Sequence, residues 1–121
     1  MANPLTAGFC AALLARVDGD QEIFSELCDI FLDDAPKRLE AIRDALAAHD
    51  ANGVRAAAHA FKGAAGVFDA DAIVAAARRL EQMGDDGTLD GGDAVYRELE
   101  ICSRLLIDEI RAVRESPTWK S

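Results

Sequence analysis

The clearest structural signal in this 121-residue chain is ANGVRAAAHAFKGAAGVF, residues 51–68. Successive side chains of an α-helix turn by about 100°, so an apolar set gathers within one narrow arc of this segment: Val54, Phe61, Ala65 and Phe68. His59 projects almost directly away from that arc. The segment therefore predicts a helix that packs on one face and exposes His59 on the other.

The rest of the chain also favours helices. Alanine, the strongest helix former, occupies 24 positions, while the aromatic residues typical of strands make up only 6% of the chain. We therefore predict an all-α fold. Besides residues 51–68 we expect four helices: a short one from an Asn3–Pro4 start to about Val17, a long one from Ile23 to Leu46, one after Asp69, and one from Val95 to Val113.

The long second helix carries one apolar stripe at a 3.6-residue period: Ile23, Phe24, Leu27, Ile30, Phe31, Leu39, Ile42 and Leu46. Pro36 interrupts it, because proline lacks a backbone donor and crowds the carbonyl four residues back. Either one kinked helix or two helices end to end would satisfy this pattern. The stripe resumes at once after Pro36, which favours the kinked helix.

Polar residues and glycines mark the predicted turns. We expect Asp50 to cap the third helix and Asp69 to cap the fourth. Gly84 is expected to end the fourth helix in the left-handed conformation. Residues 84–93, GDDGTLDGGD, then predict a polar loop.

Four substantial helices with short connections predict an antiparallel up-down four-helix bundle, with the short N-terminal helix laid across one end. The length is that of one domain, which we place over residues 1–121. Its core should span about residues 5–113. Ser116 and Pro117 should end the last helix and leave a tail at residues 116–121.

Charge and composition exclude several classes of function. A net charge of −9 disfavours binding to nucleic acid and to anionic membrane surfaces. Cys10, Cys28 and Cys102 form no C-x-x-C pair, which indicates buried thiols in a reducing compartment. No secretory signal and no apolar run of about 18 residues is apparent. These features predict a soluble cytoplasmic protein.

The exposed face of the third helix carries an unusual combination of residues. A solvent-facing histidine is by itself most often an ordinary surface residue, but Lys62 lies three positions after His59, on the same helix face. Its ammonium could stabilise a phosphoryl group on the imidazole. Gly63 and Gly66 each cost the helix about 1 kcal/mol relative to alanine, and their small size would let another protein approach the ring.

Residues 59–66, HAFKGAAG, resemble the motif of the histidine-containing phosphotransfer (HPt) domain of multistep two-component signalling. The family pattern is a histidine, two residues of which the second is large and apolar, then lysine, glycine and small residues. Phe68 and Ala70 continue the pattern, whereas Asp69 stands where the family usually has glycine. The similarity in helix order extends over roughly residues 5–113.

The resemblance implies a phosphorelay intermediate. His59 would accept a phosphoryl group from a phosphoaspartate of a response-regulator receiver domain, such as that of a hybrid sensor histidine kinase, and pass it to another receiver. A neutral imidazole is a suitable nucleophile at cytoplasmic pH. Lys62 would offset the phosphoryl charge, and Gly63, Gly66 and Ala56 would face the receiver.

The roles of three other polar residues stay open. Arg55, one turn before His59, could aid receiver docking or simply solvate its helix face. Glu81 and Gln82 could come near His59 across the bundle, as polar residues do in some members of the family. Two ordinary surface residues would fit their pattern equally well.

No nucleotide-binding motif or metal-ligand spacing is apparent in the chain. We therefore predict no kinase activity, no cofactor and no metal, with Mg²⁺ held by the partner receiver as in the family, and a monomer. The main alternative is a helical scaffold that docks receivers without passing phosphate. A metal or haem bundle is disfavoured, because the two histidines are predicted on different helices.

Overall fold

A computed structural model describes residues 8–115, apart from the side chain of Phe9. Within this range the chain forms five α-helices and no strand, which confirms the predicted all-α class: α1 (Gly8–Arg16), α2 (Gln21–Ala47), α3 (Ala51–Gly66), α4 (Asp71–Asp86) and α5 (Gly92–Glu115). The predicted helix start at Asn3 and Pro4 lies outside the described residues. So do the predicted helix stop and tail at residues 116–121.

Four of the helices close into a ring. α2 packs on α3, α3 on α4, α4 on α5, and α5 again on α2, while α1 packs on α2 and α5. Near the end of α5, the guanidinium of Arg114 donates to the carbonyl oxygen of Ser25 near the start of α2, at 3.2 Å. α2 and α5 therefore run antiparallel, and the predicted four-helix bundle with an additional N-terminal helix is confirmed.

The core lies inside the ring, and α3 contributes the face that its sequence predicts. Val54, Phe61, Ala65 and, just after the helix, Phe68 are all fully buried. The ring of Phe31 from α2 packs against Phe61 and Phe68, with centroid separations of 6.3 and 5.1 Å. This packing fixes the rotation of α3 about its axis and so decides which of its side chains face solvent.

α2 is a single helix that continues through the exposed Pro36, rather than two helices end to end. Its buried stripe is narrower than predicted. Ile23 and Ile30 are 44% and 57% exposed, so their predicted place in the core is wrong. Cys28 and Ala35 take the inner positions instead, because they lie closer to the centre of the buried arc.

Two N-caps were predicted, Asp50 for α3 and Asp69 for α4, and the structure confirms only the first. Asp50 caps α3 as predicted, and its carboxylate accepts from the backbone N–H of Gly53 at 2.9 Å. The prediction that Asp69 caps α4 is wrong, because Ala70 holds that position without a side-chain hydrogen bond. Asp69 is left-handed, with φ of +52°, and its carboxylate pairs with Arg16 at the end of α1.

The prediction that Gly84 ends α4 is also wrong. The helix continues to Asp86, and Gly87, with φ of +74°, is its left-handed cap. Gly84 is buried inside the helix against α3. The loop before α5 therefore covers residues 87–91 rather than 84–93.

All three cysteine thiols were predicted to be buried, and two of them are. Cys10 and Cys28 are buried, and all three cysteines are free. Burial raises the pKa of the Cys28 thiol to about 11 and raises the pKa of Cys10 further. Cys102 is only partly buried, since it packs at the edge of the core.

Candidate functional site

His59 lies in the middle of α3 on the face opposite the core. Its side chain is 69% exposed, in agreement with the helical projection. The Asp50 cap and the buried Phe61 hold the helix on either side of it. The imidazole is therefore presented to solvent from a backbone that packing and capping keep in place.

A carboxylate from α4 joins His59 to Lys62. Oε2 of Glu81 lies 2.6 Å from Nδ1 of His59, and its Oε1 accepts a hydrogen bond from Nζ of Lys62 at 3.1 Å. Lys62 is less exposed than predicted. Only 24% of its side chain is accessible, as is also true of Glu81, because the ammonium turns toward α4 to meet the carboxylate.

The charge on Glu81 decides the tautomer of the histidine ring. Hydrogen bonds from His59 and then from Lys62 hold the pKa of the Glu81 carboxyl below its ordinary value. An ionised carboxylate can only accept, so Nδ1 of His59 must carry the proton and donate it. In the neutral ring the lone pair is then on Nε2, the nitrogen farther from the backbone. The arrangement therefore provides a nucleophile with a fixed tautomer.

The lowered pKa of Glu81 predicts a pH-dependent contribution to stability. A carboxyl whose pKa is depressed by folding stabilises the protein above its unfolded pKa, near 4.5, and loses that contribution as pH falls through the folded value. Wild type should therefore be more stable than Glu81→Gln at pH 7, and the difference should shrink below about pH 4.5. Urea unfolding at pH 7, 5 and 3.5 measures it. A difference that stays constant with pH would show that the carboxylate is not the source.

Residues that are small or exposed border the histidine. A methyl group built on Gly63 or Gly66 would meet no atom within 4 Å, so both positions open onto free space. Arg55 and Ala56, about one turn before His59, are exposed. This side of α3 therefore has little that would hold another protein surface away from the ring.

The sequence could not decide whether Glu81 and Gln82 of α4 contact His59, and the structure shows that the two residues differ. Glu81 reaches the histidine, whereas Gln82 donates to Asp86 on its own helix at 3.0 Å. Adjacent helical residues differ by about 100° in direction, so only one of the two can point at α3. Gln82 is therefore directed along its own helix, and the structure brings only Glu81 to the histidine.

Among residues 8–115, no three His, Cys, Asp or Glu side chains come together as a metal-ion site. No helix in that range combines the length and apolar character that crossing a membrane requires.

Comparison with known proteins identifies one family. A match to the Hpt domain family covers residues 26–116, which is well over half of the chain and includes most of α2 and all of α3, α4 and α5. No curated protein and no solved structure gives a significant match.

Proposed function

This chain belongs to the Hpt domain family, whose members transfer phosphoryl groups through histidine in phosphorelays, and we propose that His59 is its phosphoryl acceptor. The donor would be a phosphoaspartate on a response-regulator receiver domain. A second receiver, with its own aspartate, would take the phosphoryl group onward. Hpt domains interact with such receivers, and the proposed partners of this chain extend to the receiver domains of hybrid sensor kinases.

The observation that carries the proposal is the hydrogen bond between Nδ1 of His59 and Glu81. It leaves the lone pair of Nε2 free to attack the phosphorus atom of the phosphoaspartate. The new N–P bond forms as the P–O bond to the aspartate breaks, and the aspartate leaves as a carboxylate. The ring becomes cationic with its proton still on Nδ1, and the negative charge of Glu81 stabilises it there. The second transfer reverses these steps on another aspartate.

Lys62 is proposed to offset charge on the phosphoryl oxygens. It lies one turn from His59 and already shares a carboxylate with it, so its ammonium is close to the acceptor ring. Gly63, Gly66, Ala56 and Arg55 would form the receiver docking surface. Mg²⁺ would be held by the receiver, and the ring of helices closed within one chain supports a monomer.

Replacing Lys62 tests the electrostatic part of the proposal. Lys62→Ala should slow phosphoryl transfer on the order of tenfold, because a cation next to the transferring group is lost. The free energy of unfolding should change by less than about 1 kcal/mol, since the lost ion pair is partly exposed. Rapid-quench transfer assays and urea unfolding measure the two effects.

Lys37→Ala is the matched control for Lys62→Ala. Lys37 is a well-exposed lysine on α2, paired with Asp33 four residues earlier on the same helix. Its replacement should leave the transfer rate unchanged. Equal slowing by the two variants would mean that general charge, and not Lys62, promotes transfer.

The experiment that tests the proposed function is incubation with a phosphorylated receiver domain. Label should pass to this chain, and it should be stable in alkali and labile in acid, as expected of a phosphoramidate. The assay is run against a panel of receivers, since the cognate one must be found. Absence of label with every receiver that binds the chain would support the scaffold alternative instead.

A further inference from the structure

Gly84 brings the backbones of α3 and α4 into close contact. A methyl group at this position would lie 2.6 Å from the carbonyl oxygen of Ala51 and 2.6 Å from the backbone nitrogen of Arg55. Both are backbone atoms, so no side-chain rotation could relieve the overlap. Glycine inside a helix costs about 1 kcal/mol relative to alanine, and the left-handed cap is at Gly87. The close approach is therefore what requires glycine at position 84.

This contact lies about one helical turn from the site. Glu81 precedes Gly84 by three residues on α4, and His59 follows Arg55 by four residues on α3. To bring the added methyl from 2.6 Å to an ordinary contact of 3.4 Å, the helices would have to separate by about 0.8 Å. With the side chains of His59 and Glu81 in their present rotamers, the same movement would lengthen the 2.6 Å distance between Nδ1 and Oε2 to at most about 3.4 Å, beyond the usual hydrogen-bond range.

We infer that Gly84 is a positioning residue for phosphoryl transfer. By letting α4 lie directly on α3, it places the Glu81 carboxylate within reach of Nδ1 of His59. The proton is thereby kept on Nδ1 and the nucleophilic lone pair on Nε2. The inference rests on the proposed function for the identity of the reaction, and Gly84 touches no reacting atom.

The tautomer of His59 gives a direct test in the unphosphorylated protein. Nitrogen-15 NMR of the ring should show the proton on Nδ1 in wild type and a mixture with the Nε2-protonated form in Gly84→Ala. Transfer from a phosphorylated receiver should fall about tenfold, as expected when a catalytic geometry is displaced by somewhat less than 1 Å. A variant that was only less stable would keep the wild-type tautomer while folded.

Gly92→Ala is the matched control. Gly92 is also buried in the bundle, but a methyl group there would meet only the ends of flexible side chains, Cδ2 of Leu46 at 2.8 Å and Cε of Met83 at 3.7 Å. It is the first residue of α5 and takes no part in the backbone contact between α3 and α4. Gly92→Ala should keep both the tautomer and the transfer rate of wild type.

A double-mutant cycle tests whether Gly84 acts through Glu81. In a Glu81→Ala background there is no carboxylate left to misplace, so Gly84→Ala should slow transfer no further. The inference is wrong if Gly84→Ala retains the Nδ1-protonated ring, or if the two substitutions slow transfer multiplicatively.

Glu81→Asp provides a second route if Gly84→Ala does not fold. Its carboxylate is one methylene shorter, which withdraws the acceptor without altering the contact between the helices. It should lose the fixed tautomer and slow transfer, and full retention of both would overturn the inference. The tautomer is measured without a receiver, so failure of wild type to be phosphorylated would refute the proposed function separately.

Discussion

His59→Gln should abolish phosphorylation of this chain by any receiver. Glutamine is similar in length and keeps a polar side chain, but its amide nitrogen has no lone pair available to attack phosphorus. Because the His59 side chain is 69% exposed, the fold should tolerate the change. Transfer of acid-labile label from a phosphorylated receiver measures the loss, and circular dichroism checks that the variant is folded.

His49 is the natural control, as the other of the two histidines in the chain. It is exposed in the turn between α2 and α3, with φ of +53°, a conformation that asparagine also tolerates. His49→Asn should be labelled as wild type is. Acid-labile label on His59→Gln, or its loss from His49→Asn, would move the acceptor away from His59.

Phe61→Ala should lower the free energy of unfolding by about 3–5 kcal/mol. Phe61 is fully buried on the inner face of α3, and its ring packs against Phe31. Removing the ring loses the free energy of burial and leaves a cavity among side chains that cannot close it fully. Since small domains have only about 5–15 kcal/mol of stability, the effect should be large in a urea titration.

Ile30→Ala is the comparison that makes the Phe61 result specific. Ile30 is a large apolar residue that its sequence pattern placed in the core, yet 57% of it is exposed. Its replacement should cost less than about 1 kcal/mol. Equal losses for the two variants would contradict the observed rotation of α2 and α3 about their axes.

Helix identity and the inner face of α3 could be predicted because they depend on local periodicity. The spacing of Val54, Phe61 and Ala65 fixes one buried arc whatever the helix packs against. The cap at Asp50 is likewise local, since its carboxylate reaches a backbone N–H only three residues on. Such features need no knowledge of the neighbouring helices.

The predictions that were wrong concern residues whose conformation or contacts are set by a neighbouring helix. Glycine is common where helices end, so the sequence around Gly84 predicts a cap. In the structure the backbone of α3 lies against Gly84, and Gly87 is the cap instead. Asp69 has the character of a cap, yet its carboxylate pairs with Arg16 of α1. No local pattern in one sequence separates these possibilities.

In the candidate site, too, local periodicity predicts some features and packing between helices decides the others. The outward direction of His59 follows from the helical period of α3 alone. The contact with Glu81 depends on how far α4 is shifted along α3, which a single sequence does not specify. For the same reason the sequence could not show that Lys62 turns toward α4 to share that carboxylate with the histidine.

If His59 is the acceptor, as we propose, the exposed surface around its ring also determines the order of events in a relay. Two receivers could not occupy Gly63 and Gly66 at once, because each must bring its aspartate to the same nitrogen. The first must depart before the second arrives, so this chain would shuttle between partners by a double-displacement cycle, with no ternary assembly. Excess of the discharged donor would then compete with the acceptor and slow the outgoing step.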